Sequence, residues 1–199
     1  MPYRRTSAVQ ARLDADRNRV FASAIEVLSN EGYRGLSIAS VAAAAGVSAG
    51  SVYTHFASKA DLVVAIFREV CSREVEAVAD AGSAGDVVER VTAIVETFAG
   101  RAMKNRTMAY ALLAEPVDPA VDAERLVFRR AFTGAIAGAI SAGIASGDIP
   151  EQNVSIAAAG LVGAVGEVLV GPLGPEQAPG VDVVPDLVSF AIRSLGVCP

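Results

Sequence analysis

Apolar residues recur at intervals of three and four along most of the chain, and no stretch alternates apolar with polar long enough to predict a strand or hairpin. The pattern predicts an all-α protein of about nine helices. A first helix runs from about Val9 to Glu31, with Val20, Ala24, Val27 and Leu28 on one face and Gly32 supplying a left-handed stop. Two short helices follow in "SIASVAAAAG" and "SAGSVYTHF", over about 38–44 and 48–55. The joining "AGVS" lets Gly46 turn tightly and Ser48 cap the next N-terminus, which gives helix-turn-helix proportions.

Ser58, with Asp61 three residues on, forms the sequence pattern of a capping box and opens a long fourth helix through Asp80. Gly82 to Gly85 break it, and further helices are expected over about 86–103, 105–114, 119–146 and 153–171. A Pro/Gly-rich loop from Gly171 to Asp182 precedes a last helix with Pro185 in its first turn, where Leu187, Phe190, Ala191 and Leu195 share one side. Phe128, Phe132, Ile136, Ile140 and Ile144 fall every fourth residue. Such a stripe drifts by about 40° per step, so this helix should touch several neighbours as it winds. Residues 131–147 are rich in Gly, Ala and Ser, and residues 154–171 include Glu167, so neither stretch reads as a membrane span. Gly160, Gly163, Ala164 and Gly166 would let another helix approach closely. The last two helices look apolar on more than one side, which points to a homodimer built through them, with tight packing inside one subunit as the alternative.

Composition adds three constraints. A chain of 199 residues, 52% hydrophobic, suffices for one large domain or two small ones with a buried core. The N-terminus has charges without an apolar run behind them, so it is not a secretory signal, and a cytoplasmic protein is expected. Cys71 and Cys198 lack metal-ligand spacing and read as packing or incidental residues; no metal and no cofactor are expected. The net charge of −5 conceals an asymmetry: residues 1–60 carry seven Lys/Arg against four Asp/Glu, the remainder ten against eighteen. Only the first segment would attract a polyanion.

The chemistry concentrates in "AGVSAGSVYTHFASKADL", which holds the only histidine. In a helix-turn-helix, Val47, Val52 and Phe56 would pack inward, leaving Ala49, Gly50, Ser51, Tyr53, Thr54 and His55 outward toward a major groove. Gly50 allows close backbone approach, Ser48, Tyr53 and Thr54 offer hydroxyl donors, and His55 adds an imidazole N–H. Lys59 lies in the first turn of the fourth helix, where its own helix dipole disfavours a cation, so an external anion is expected beside it.

With these residues in view, "GYRGLSIASVAAAAGVSAGSVYTHFASKADL", residues 32–62, resembles the DNA-binding signature of tetracycline-repressor-like (TetR) transcriptional regulators. The resemblance covers about a quarter of the chain. It implies that Ser37, Ser48, Gly50, Tyr53, Thr54, His55 and Lys59 touch DNA backbone or base edges while Phe56 locks the motif. It also implies a helix-turn-helix DNA-binding domain over 1–57 and a variable ligand-binding and dimerisation domain over 58–199. Ala39 and Ala49 stand where relatives often carry long polar side chains, so bidentate readout of G or A is missing there. Methyl contacts to thymine, Thr54 and DNA shape remain. Arg4 and Arg5 of the arm "PYRR" either enter an adjacent minor groove or belong to a tail without a role.

Two other readings compete. Ser51 and His55 at i and i+4, with Asp61 to orient the imidazole, could form an enzyme's constellation, but the short helix brings no pocket, phosphate loop or second acid. A dimeric helical adaptor would not need the basic N-terminal segment. The resemblance favours a regulator, most simply a repressor, that holds a palindromic double-stranded operator as a dimer. A small, mostly hydrophobic effector would release it, and Phe67, Phe98, Met103, Met108, Tyr110, Phe128 and Phe132 are candidate cavity liners, each alternatively plain core. Arg101, Arg106, Arg129 and Arg130 keep an anionic effector open. Tilting of the fourth helix would change the spacing of about 34 Å between the two reading helices of a dimer.

Overall fold

The computed structural model describes residues 7–176 and 182–197. They form nine helices: α1 (Ser7–Gly35), α2 (Ile38–Ala45), α3 (Ala49–His55), α4 (Lys59–Ala81), α5 (Val87–Lys104), α6 (Arg106–Leu113), α7 (Pro119–Ser146), α8 (Val154–Leu173) and α9 (Val184–Ser194). The protein is all-α, an N-terminal helix-turn-helix head on a helical bundle. Arg4, Arg5 and Cys198 lie outside the described residues.

Local chemistry sets the helix ends. The Ser37 hydroxyl accepts from the Ser40 amide, and the Ser40 hydroxyl accepts from the Ser37 amide, a complete capping box on α2. Gly46 closes α2 at φ +65°, and Ser48 caps α3 by accepting from the Ser51 amide. Ser58 caps α4, but the expected reciprocal half is missing. The Asp61 carboxylate accepts from the Ser58 hydroxyl instead of its amide, since an aspartate is one methylene shorter than the glutamate that reaches back in a full box. Asp86 and Glu89 make the full box at α5. The expected stop at Gly32 appears as a kink near the end of α1, at φ +69° and ψ −172°, a conformation essentially confined to glycine.

Two apolar clusters fill the molecule. The first joins Val20, Ala24, Val27 and Leu28 of α1 with Val41, Val52 and Phe56, then continues through Leu62, Val63, Ile66 and Phe67 of α4 to Ala111 of α6 and Val121 of α7. Burying each large side chain contributes about 1.5–3 kcal/mol. The second joins α5, the C-terminal half of α7, α8 and α9. The α7 stripe winds between them as its drift predicts: Phe128 packs on the first cluster, whereas Phe132, Ile136, Ile140 and Ile144 belong to the second.

Leu187 and Ala191 of α9 and Leu195 at its end are buried, but Phe190 is 45% exposed and lies outside their shared face. The bundle covers Leu161, Val165, Leu169 and Leu173 of α8 and leaves Ile156 71% exposed. By length and composition α8 is long and apolar enough to cross a membrane, which corrects the expectation drawn from Glu167; one charge does not offset nineteen uncharged neighbours. A Cβ added at Gly160, Gly163 or Gly166 would meet nothing within 4 Å, so no neighbour within the chain requires these glycines.

Candidate DNA-binding face and ligand cavity

The head holds α3 rigidly. Val52 is fully buried, and Phe56 stacks on Phe21 with ring centroids 6.3 Å apart, while the Arg17 guanidinium lies 5.3 Å above the Phe56 ring. Pinned by these contacts, α3 exposes Ala49, Gly50, Tyr53 and Thr54, with Ser51 and His55 half-buried at the edge of the face. Tyr53 is 55% exposed. Ser37 and Ser48, at the N-caps of α2 and α3, are also exposed, as are Ala39 and Ala49.

Several of the hydroxyls offered as phosphate donors already have partners within the chain. The Ser48 and Ser51 hydroxyls bond each other at 2.9 Å, Ser37 is committed to its capping box, and the Thr54 hydroxyl donates to the Gly50 carbonyl at 3.0 Å. Short polar side chains on a helix find backbone partners before they find a ligand. Lys59 also departs from expectation. Its ammonium sits 4.1 Å from the centroid of the Tyr33 ring and donates to the Tyr33 carbonyl at 3.4 Å, so the end of α1 supplies the negative potential that its own helix denies it. The constellation weighed for catalysis does not assemble: the Ser51 hydroxyl pairs with Ser48, the Asp61 carboxylate pairs with Ser58, and neither bonds His55 among the described residues.

In the bundle, α4, α5, α6, α7 and α8 enclose a cavity of about 650 Å³. Five of the seven residues expected to line it do so: Phe67, Phe98, Met108, Phe128 and Phe132, the Phe98 and Phe132 rings meeting edge to face at 5.0 Å. Met103 and Tyr110 do not. Met103 is five residues beyond Phe98 and therefore about 140° round α5, where it faces Val184 and Val188 of α9. Tyr110 is two residues beyond Met108, on another side of α6, and packs in the second cluster. Arg101 and Arg129 also line the cavity, whereas Arg106 and Arg130 do not.

Sequence reasoning missed Glu74, Cys71 and Arg125 in this wall. Glu74 accepts two bonds from Arg101, at 2.5 and 2.8 Å. Arg125 lies one helical turn before Arg129, on the face that Phe128 and Phe132 had already marked, and that spacing was the available signal. Burial pushes the Cys71 thiol up to about 12, so it stays protonated and unreactive at neutral pH. Iodoacetamide at pH 8 should alkylate native Cys71 more than about 100-fold more slowly than a free thiol of pKa about 8.5, read by peptide mass mapping. Labelling at the free-thiol rate would mean that the wall opens.

The described residues thus form a helix-turn-helix head with an exposed second helix, joined by one long helix to a bundle with a largely apolar cavity. Residues 20–66 match the bacterial regulatory proteins of the tetR family. Over that segment the chain is similar to this family. It is 42% identical over 66 residues to the HTH-type transcriptional regulator CymR of Pseudomonas putida, an alignment covering 33% of this chain and 32% of that protein. The chain spans only about a third of the length of the curated relatives it matches. Among solved structures, a TetR-like transcriptional regulator from Rhodococcus sp. RHA1 is 25% identical, with a TM-score of 0.69 over 91% of this chain and 96% of that one. FadR of Bacillus subtilis, solved in complex with stearoyl-CoA, is 19% identical, with a TM-score of 0.71 over 90% and 95%.

Proposed function

We propose that the chain is a ligand-responsive transcriptional regulator, a repressor that holds a palindromic operator as a homodimer and leaves it when a small, mostly hydrophobic effector fills the cavity. It would act in the cytoplasm, with residues 1–57 reading DNA and 58–199 binding effector and partner subunit. One observation carries this reading: an exposed α3 face, on a head locked by Val52 and Phe56, shares a continuous core with the wall of a 650 Å³ apolar chamber. Bare α8 and α9 surfaces bearing Ile156 and Phe190 support a second copy as the partner. The stearoyl-CoA held by the FadR neighbour makes long acyl thioesters the first effectors to test.

On DNA, Tyr53 is the side chain best placed to donate to a phosphate, because its hydroxyl has no partner among the described residues. Ala39 and Ala49 leave methyl groups and DNA shape as the main sequence readers, with Thr54 beside them. Sequencing DNA fragments enriched by the purified protein should return a palindrome. On that fragment, Lys59→Ala should weaken binding and reduce the log–log salt slope by about 1, and Tyr53→Phe should weaken it without changing the slope. Unchanged binding by both variants at moderate salt would remove the contact assignment. Operator affinity that no candidate effector alters in a gel-shift titration would remove the switch.

A further inference from the structure

Glu115 is the one buried charged residue in the described chain, and it is not in the cavity. It follows the end of α6 and reaches across to the kink in α1, where its carboxylate accepts from the Tyr33 amide at 2.9 Å and the Arg34 amide at 3.2 Å. Those two amides follow Gly32, so the carboxylate holds the segment where α1 hands over to the reading helices. The same turn is tied twice more. The Tyr33 hydroxyl donates to Asp118, and burial together with that bond pushes the phenol up to about 12, which keeps it a donor. Tyr33 in turn carries Lys59 on its ring and carbonyl.

What holds Glu115 in place is Arg125 of α7. Its guanidinium donates to the carbonyls of Ala111 and Leu112, at 2.9 and 2.8 Å, and to the carbonyl of Glu115 itself. These are the carbonyls at the end of α6, which have no partner within their own helix. Arg125 also lines the cavity, with its guanidinium carbon 5.9 Å from the centroid of the Phe67 ring. Among the charged residues of the cavity wall, Arg101 spends its guanidinium on Glu74; Arg125 divides its own between the Asp122 carboxylate, 3.5 Å away, and the backbone leading to the head.

We propose that Arg125 is a positioning residue that couples cavity occupancy to the setting of the DNA-reading head, acting through the end of α6 and the Glu115 carboxylate. The proposal rests on the reading of the cavity as an effector site. An occupant that presses on the α6 and α7 walls, or draws the Arg125 guanidinium away from the three carbonyls while Asp122 keeps its charge paired, loosens the turn and frees the amides of Tyr33 and Arg34. The head is then released from its fixed angle without any contact between effector and head.

The test is amide hydrogen exchange of the full chain, following peptides that span 31–36, with 1-anilinonaphthalene-8-sulfonate as the cavity probe and its fluorescence as the separate measure of binding. Without probe, Arg125→Lys, which keeps the charge and loses the fork, should speed exchange at Tyr33 and Arg34 about tenfold, as should Glu115→Gln. Arg130→Gln, exposed on the same helix, should change neither. With probe, the wild type should show the same acceleration, whereas Arg125→Lys should bind the probe and show no further change. A purely structural role would move the baseline in the variant and leave the probe-induced ratio intact, which would overturn the proposal. Unaltered probe-free exchange in both variants would overturn it equally. Absence of probe binding to the wild type would count against the effector reading instead, leaving the probe-free comparison to decide the role of Arg125.

Discussion

Ile156→Asp should yield a folded chain that sediments as a monomer and binds the proposed palindromic operator about 10²–10⁴-fold more weakly, the factor gained when two linked modules engage together. Ile156 is 71% exposed, so within one subunit the substitution removes almost no packing. In a dimer built on the bare face of α8, the same carboxylate would be buried without a partner, a cost of several kcal/mol. Ile156, Gly160 and Gly171 fall within about 60° of one another round α8, and nothing lies within 4 Å of a Cβ placed at either glycine. Gly160→Leu provides an independent route to the same end, since it should raise helix propensity in the subunit while holding the partner helix away. Sedimentation velocity on both variants decides the matter: dimers as stable as the wild type would place the partner surface elsewhere.

The second large effect is expected at Phe56. Replacing it with alanine removes a buried ring that stacks on Phe21 and lies beneath Arg17 at the point where α3 ends. Phe→Ala in a packed core costs about 3–5 kcal/mol, and whole domains have about 5–15 kcal/mol. The head should therefore be the first part to melt, with DNA binding lost at temperatures where α5, α7 and α8 remain helical. Circular dichroism and operator binding followed together through a thermal ramp measure this. Coincident loss of both signals at the wild-type temperature would show that Phe56 is not the lock of the motif.

The helix-turn-helix was legible because its determinants are local. Ser37, Gly46 and Ser48 fix ends within four residues of themselves, and Val52 and Phe56 reveal the inward face by spacing alone. Five cavity liners were legible for a similar reason, as large apolar groups on helices that had to face one another. Met103 and Tyr110 were misread because the sequence gives residue type and position along a helix but not where the neighbouring helices lie around it. The partners of Lys59 and the latch at Glu115 were hidden by distance. Tyr33 and Glu115 are 82 residues apart, and nothing near either one in the chain announces the other. The intrachain partners of the hydroxyls lie close by instead: a backbone acceptor three or four residues away, as Gly50 is for Thr54, takes up the donor in the absence of a ligand.

The first apolar cluster crosses position 57 without a break, since Leu62, Val63, Ile66 and Phe67 pack beneath Val20, Leu28, Val41 and Val52. Cutting the chain there to graft the proposed reading head onto another helical bundle would strip the floor from the transplanted piece. A chimera that keeps its specificity has to carry the opening turns of α4 along with the graft, and has to supply, from the recipient, an acid that can stand in for Glu115.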